Sequence, residues 1–272
     1  MVLTVFSPLL FASRAQAYES PLQSLVEFSK EKINKVKKIT IENPIVVERA
    51  QAQATQEQQV PLLDQLNDKK GVPRVVSDPR EIEKAAEFAS NATGVRKNFI
   101  MGLLVVESDL GRNPGKCTYQ EVEDGAKLDH QNGRLSTRAW NTFNERREII
   151  KDVAKSLGYD YEKLSVSCNP GAAYAGTGGA MGIPQFMPDT WMEYKDRISA
   201  IVGKDNPDPW NAKDAAVAVA LKLSDVYGVT DHNRLAERNA AKLYLSGTTS
   251  WQYDWYANQI LYWAEHYDAL IG

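Results

Sequence analysis

The 272-residue sequence lacks long apolar runs, an excess of positive charge and the ligands of a metal site. No segment approaches the roughly 20 apolar residues of a membrane-spanning helix, so we expect no membrane insertion of the mature chain. A formal net charge of −3 argues against a nucleic-acid binder, which would carry a basic face. Two Cys and three His are too few for a convincing zinc site, and we expect no metal and no cofactor.

The N-terminus is typical of an export signal. Residues 2–12 are largely apolar, and residues 15–17 read Ala-Gln-Ala, which fits the small-x-small pattern of a cleavage site. No Lys or Arg precedes the apolar run, and the alternative is a segment packed in the core. We predict that residues 1–17 are a signal peptide. The protein is then expected in the periplasm, or in the cell wall and the extracellular space.

The two cysteines, Cys117 and Cys168, are candidates for a disulfide bond. An even cysteine count in an exported protein favours pairing. The bond would close a loop of roughly fifty residues, for which chain entropy gives a stabilisation of about 3–4 kcal/mol. The alternative is a pair of buried free thiols.

Composition divides the remaining chain into two parts. Residues 18–71 are rich in Lys, Glu and Gln, with apolar residues near helical spacing, which predicts one or two amphipathic helices. A solvated helix face and a contact with a protein partner both remain open for this segment. Residues 72–272 carry well-marked helix starts and no long alternating strand pattern. We predict a mainly α fold with an N-terminal helical extension.

Residues 99–108 predict the first helix that bears on chemistry. Ile100, Leu104 and Glu107 stand at positions i, i+4 and i+7, so Glu107 continues an apolar stripe. A carboxyl group on such a stripe is partly desolvated, which raises its pKa and lets it hold a proton near neutral pH. That property suits a general acid. The alternative is a Glu at a helix end that simply reaches solvent.

The segment 172–188 is rich in glycine and poor in large side chains. Such a segment allows a bulky ligand to approach the backbone closely. Gln185 adds both hydrogen-bond donors and acceptors for a polar ligand. The Gly-Lys-Ser/Thr ending of a phosphate-binding loop is missing, which excludes that class of site.

These segments resemble the lytic murein transglycosylases, a family with a goose-lysozyme-like α fold. Glu107-Ser108 resembles the family's catalytic Glu-Ser at a helix end, and residues 179–188 resemble its Gly-Ala-Met-Gly-x-x-Gln-Phe-Met-Pro signature. The resemblance covers roughly residues 78–270. Three further segments follow in the family's order, at residues 209–215, 240–244 and 256–260.

The resemblance implies an enzyme that acts on the glycan strands of peptidoglycan, with Glu107 as the catalytic acid. The acid protonates the oxygen between N-acetylmuramic acid and N-acetylglucosamine. It then takes the proton of the C6 hydroxyl, and a 1,6-anhydro ring closes without water. The resemblance also implies a lysozyme-like catalytic domain over residues 72–272. Substrate contacts are expected from Ser108, Met181, Gln185, Tyr244 and Tyr256.

Some positions depart from the family pattern. Leu245 follows Tyr244 where the family has Asn, and Gly176 stands where it often has Ser. A muramidase that hydrolyses the same bond and a non-catalytic peptidoglycan-binding module therefore remain as alternatives. An ordinary glycosidase uses two carboxylates, whereas Asp109 would project from a different side of the helix than Glu107. This difference favours the route with one carboxylate.

Overall fold

The structure is a computed structural model that describes residues 71–169 and 177–271. The predicted signal peptide, residues 1–17, lies outside the described residues. So do residues 18–70, which make up nearly all of the predicted N-terminal helical segment, and Gly176.

Eight α-helices form most of the described part of the chain. The prediction of a mainly α fold is confirmed. Short 3-10 turns occur at Tyr161–Lys163, Trp251–Tyr253 and Tyr267–Leu270. In chain order the helices are α1 (Pro79–Thr93), α2 (Lys97–Ser108), α3 (Tyr119–Gln131), α4 (Thr137–Leu157), α5 (Pro188–Val202), α6 (Ala212–Ser224), α7 (Arg234–Ser246) and α8 (Asp254–His266).

A short antiparallel pair joins β1 (Cys117–Thr118) to β2 (Ser165–Val166). Cys117 stands opposite Val166 in this pair. The Cys117–Cys168 disulfide is present beside it, with a Cα–Cα distance of 5.0 Å, and the predicted pairing is confirmed. The bond therefore holds the two ends of the α3–α4 region together.

Most helix boundaries follow from local chemistry. Asp78 accepts a hydrogen bond from the backbone of Arg80 and caps α1, and Gly158 ends α4 in a left-handed conformation. Asp189 lies in the first turn of α5 rather than before it, because Pro188 is the first helical residue. The carboxylate of Asp189 pairs instead with Arg146, at 2.8 Å.

The core is centred on α6, where residues 215–221 are all buried. This helix packs against α1 and α5, while α2 packs against α8. None of the helices in the described ranges is long and apolar enough to cross a membrane.

Gly102 determines how closely α2 approaches α8. A Cβ atom at this position would lie 2.3 Å from the carbonyl oxygen of Ile260, so only glycine fits between the two backbones. The close approach brings the C-terminal end of α2 beside the N-terminal end of α8. Glu107 and Tyr256 lie on these two ends.

Candidate active site

Glu107 lies in the last turn of α2, half-buried, where Tyr256 reaches it from α8. The Tyr256 hydroxyl donates a hydrogen bond to Oε1 of Glu107. Burial raises the pKa of Glu107 to about 7, although the Tyr256 hydrogen bond and the charge of Lys222 oppose the rise. Glu107 can therefore be protonated or ionised near neutral pH.

Lys222, on α6, is a site residue that the sequence analysis missed. Its Nζ donates to the carbonyl oxygen of Tyr244 at 3.2 Å. The same atom lies 4.3 Å from the centre of the Tyr244 ring and 4.9 Å from the centre of the Phe186 ring. Burial lowers the pKa of Lys222 to about 8, while the negative charge of Glu107 raises it.

Tyr244 joins α7 to the glycine-rich loop. Its hydroxyl donates to the carbonyl oxygen of Pro184 at 2.6 Å, and its side chain is buried. Burial raises the pKa of both Tyr244 and Tyr256, with the charge of Glu107 acting in the same direction. Both hydroxyls therefore stay protonated and remain hydrogen-bond donors at neutral pH.

The loop that follows residue 177 is held by short-range contacts between backbones. Gly182 has a φ of +61°, and a Cβ there would lie 2.2 Å from the carbonyl oxygen of Pro209. Gln185 also has a positive φ, and its Nε2 donates to the carbonyl oxygens of Pro114, at 2.9 Å, and Gly182, at 2.6 Å. The side-chain amide of Gln185 thus holds the loop in place by hydrogen bonds to two backbone carbonyls.

Met181 is fully buried within this loop. Its backbone forms isolated bridges with Val166 and Phe186, which turn the side chain into the core. The predicted contact between Met181 and a sugar is not supported by this position.

Ser108 lies at the end of α2 next to Glu107, and Asp109 follows it. The Ser108 hydroxyl donates to the carbonyl of Leu104 at 3.3 Å and accepts from the backbone of Gly111 at 3.2 Å. Its side chain is buried, so it shapes the turn after the helix. Asp109 is exposed in a left-handed conformation and pairs with Arg112 at 2.7 Å. The carboxylate nearest to Glu107 in the sequence is therefore held in an ion pair with Arg112.

The structure thus joins Tyr256 to Glu107 by a hydrogen bond, and the charge of Lys222 lowers the pKa of Glu107. Tyr244 is bonded to the glycine-rich loop, Ser108 and Gln185 bind the surrounding backbone, and Met181 is buried. A sequence signal for Lys222 did exist. It continues the stripe of Ala215 and Val219, and the residues on either side of it, Leu221 and Leu223, are apolar and buried. A lysine in that register is not on a solvated face.

Comparison with known proteins places the chain in a family. The sequence model described as the transglycosylase SLT domain matches residues 11–227, well over half of the chain. The chain belongs to the transglycosylase SLT domain family. The predicted family is therefore confirmed, and the helical fold is consistent with the lysozyme-like fold of lytic transglycosylases.

No curated protein matches the chain. Among solved structures, the chain is similar to the Escherichia coli lytic transglycosylase Slt35 in complex with bulgecin A, at 22% identity and a TM-score of 0.38. The match covers 56% of this chain and 46% of that chain. The matched region therefore spans less than half of the length of Slt35.

Proposed function

We propose that this SLT-domain protein is a lytic transglycosylase that cleaves the β-1,4 bond between N-acetylmuramic acid and N-acetylglucosamine in peptidoglycan. The observation that carries the proposal is the state of Glu107, a half-buried carboxyl group with a pKa of about 7. A general acid works best when its pKa lies near the working pH. Because peptidoglycan lies outside the cytoplasmic membrane, the protein is exported to the periplasm or to the cell wall and the extracellular space.

In the proposed reaction, protonated Glu107 gives its proton to the glycosidic oxygen as the bond to C1 of N-acetylmuramic acid breaks. The substrate's own 2-acetamido group stabilises the positive charge that develops at C1. The ionised Glu107 then takes the proton of the C6 hydroxyl, whose oxygen attacks C1. The products are a free 4-hydroxyl on N-acetylglucosamine and a 1,6-anhydro-N-acetylmuramic acid end, and Glu107 is protonated again.

The surroundings of Glu107 favour this route over hydrolysis. A hydrolytic glycosidase needs a second carboxylate about 5–9.5 Å from the acid. The groups that shift the pKa of Glu107 are Tyr256 and Lys222, neither of which is a carboxylate. Asp109 is bound by Arg112 on an exposed turn. The tethered C6 hydroxyl needs no such activation to outcompete water, since intramolecular attack has a large effective concentration.

The other residues predicted to contact the substrate have different roles in this proposal. Tyr256 orients Glu107 through the hydrogen bond of its hydroxyl, and a contact with the sugar at the cleaved bond is its second proposed role. Tyr244 holds the glycine-rich loop against α7 through its hydrogen bond to Pro184. Because its hydroxyl is used in this bond, a contact of Tyr244 with the substrate is a secondary role. Gln185 and Ser108 position the walls of the site.

The Glu107→Gln variant tests the proposal on purified peptidoglycan sacculi. Turnover should fall by on the order of 10²-fold or more, because the general acid is lost. Glu87→Gln, an exposed carboxyl on α1, is the matched control and should retain the parent rate. Clearing by Glu107→Gln at more than a few per cent of the parent rate, with an unchanged circular dichroism spectrum, contradicts the assignment.

Mass spectrometry of the products separates the alternatives. Lytic transglycosylation gives fragments one water lighter than hydrolytic products, with no new reducing ends. Ordinary reducing ends that accept borohydride would identify a muramidase. Binding to sacculi without cleavage would identify a binding module.

A further inference from the structure

Two large apolar side chains are exposed at the start of α8. Trp251 is 78% exposed in the 3-10 turn before the helix, and Trp255 is 61% exposed in its first turn. The other tryptophans of the chain are buried or half-buried, at positions 140, 191, 210 and 263. A single exposed apolar residue is ordinary on a protein surface, but two indoles within five residues form an apolar patch, which is typical of a binding surface.

The indole of Trp255 adjoins the candidate active site. Its ring lies 5.7 Å from the ring of Tyr256, centre to centre, and the two planes are nearly perpendicular, at 80°. The hydroxyl of the same tyrosine donates to Glu107. Because successive residues of a helix point about 100° apart, buried Tyr256 faces α2 while exposed Trp255 lies beside it on the solvent side. The indole therefore extends the site outward from the acid.

The turn that carries Trp255 is held by ion pairs to α7. Asp254, the first residue of α8, pairs with Arg238 at 3.0 Å and with Lys242. The ammonium group of Lys242 also donates to the carbonyl oxygen of Thr249, at 3.3 Å. The backbone under the indole is thus fixed before any ligand arrives, which reduces the entropy lost when a ligand stacks on it.

The exposed polar residues around Trp255 are neutral amides, namely Gln252, Asn258 and Gln259. Side-chain amides offer both hydrogen-bond donors and acceptors. A sugar ring presents C–H groups on its face, with hydroxyl and acetamido groups at its rim, so indole and amides together match both parts of an N-acetylated sugar. Surfaces that bind membranes or nucleic acids combine aromatic residues with Lys and Arg instead.

We propose that Trp255 is a substrate-binding residue on whose indole a sugar ring of the glycan strand stacks, next to the bond that Glu107 cleaves. The identity of the ligand rests on the proposed function. The face of an aromatic ring is electrostatically negative and attracts the weakly positive C–H groups of the sugar. This contact is made as soon as the strand binds, so it contributes to affinity and not to the strength of the acid.

The first test measures binding without turnover, by isothermal titration calorimetry of the full-length Glu107→Gln chain with soluble glycan strands freed of their peptides. Adding Trp255→Ala should weaken binding about tenfold, the equivalent of about 1.4 kcal/mol. Trp255→Phe keeps an aromatic face and should restore most of the affinity. Tyr227→Ala is the matched control, because it removes an aromatic ring that is 96% exposed outside the patch, and it should bind as the unsubstituted chain does.

The second test detects the contact itself. The NMR signal of the Trp255 indole N–H, assigned by its loss in Trp255→Phe, should shift when the same glycan is added to the Glu107→Gln chain. Trp210 provides an internal control, because its indole N–H is bonded to the carbonyl oxygen of Ser165 at 3.0 Å and its side chain is buried. Its signal should stay in place.

The third test uses the active chain with Glu107 intact. Trp255→Ala should raise KM for soluble glycan about tenfold and leave kcat nearly unchanged, because a contact present in both the bound state and the transition state affects only binding. A lower kcat with unchanged KM and unchanged glycan binding would show that Trp255 merely supports Tyr256, and it overturns the proposal.

Two further outcomes separate the remaining readings. Unchanged glycan binding together with a sedimentation coefficient that falls in Trp255→Ala would identify the patch as an interface between copies of the chain, and it also overturns the proposal. Glycan binding that depends on Trp255, in a parent chain that cleaves no glycan, supports the binding role and refutes the proposed function instead.

Discussion

Replacing Glu107 with Gln should stabilise the fold at neutral and alkaline pH. Burial raises the pKa of Glu107 from 4.5 to about 7, so the folded chain binds this proton more tightly than the unfolded chain does. One pKa unit corresponds to about 1.4 kcal/mol, and ionising Glu107 in the fold therefore costs about 3 kcal/mol of unfolding free energy. Gln is neutral at every pH and does not carry this cost, while its Oε1 can still accept from Tyr256.

The pH window follows from the direction of the shift. Below about pH 4.5 the carboxyl is protonated in both states, and the parent and the variant should have similar unfolding free energies. Between about pH 4.5 and 7 the unfolded parent loses its proton before the folded parent does, so the parent loses stability as the pH rises. Above about pH 7 the variant should be more stable by the full amount, about 3 kcal/mol.

Urea unfolding of the parent and of Glu107→Gln, repeated from pH 4 to pH 8, measures this difference directly. Glu87→Gln removes an exposed carboxyl from α1 and controls for the loss of one charge. The reasoning is refuted if the stability of Glu107→Gln runs parallel to that of the parent across the whole range. It is also refuted if Glu87→Gln shows the same divergence.

Three further predictions concern the frame of the site. Gly102→Ala, which places a Cβ 2.3 Å from the carbonyl oxygen of Ile260, should lower stability by about 1–3 kcal/mol and reduce glycan cleavage; an unchanged melting temperature contradicts it. Replacing Cys117 and Cys168 by Ser should cost about 3–4 kcal/mol in urea unfolding, and thiol titration of the denatured, non-reduced parent should find no free thiol. A fragment that starts at Val72 should fold and cleave glycan; insoluble or inactive material would show that the preceding residues belong to the catalytic domain.

The burial of Glu107 and most helix boundaries could be predicted from the sequence because their signals are local. The 3.6-residue period places Glu107 on the apolar stripe of Ile100 and Leu104, and the structure finds it half-buried. Helix caps such as Asp78 act over two or three residues, so they too are visible in the sequence.

The contacts of the site could not be predicted in this way, because they join residues far apart in the chain. Tyr256 lies 149 residues after Glu107, and only the family resemblance connected the two. The sugar contact of Met181 stays a prediction from its motif, and the complete burial of its side chain was not visible in the sequence. Lys222 was passed over because lysine on a helix is ordinarily solvated, although its position in line with Ala215 and Val219 was a local signal.

The glycine at position 102 also bears on how freely the core of this protein can change. The distance between α2 and α8 is set by the contact of Gly102 with the backbone of Ile260 and Ala264. It does not depend on the size of the side chains in the rest of the interface. A volume-conserving exchange at buried Leu104, such as Leu104→Met, should lower the melting temperature without moving the pH profile of cleavage. Volume-conserving substitutions in the surrounding core can then accumulate while Glu107 and Tyr256 keep their relative positions.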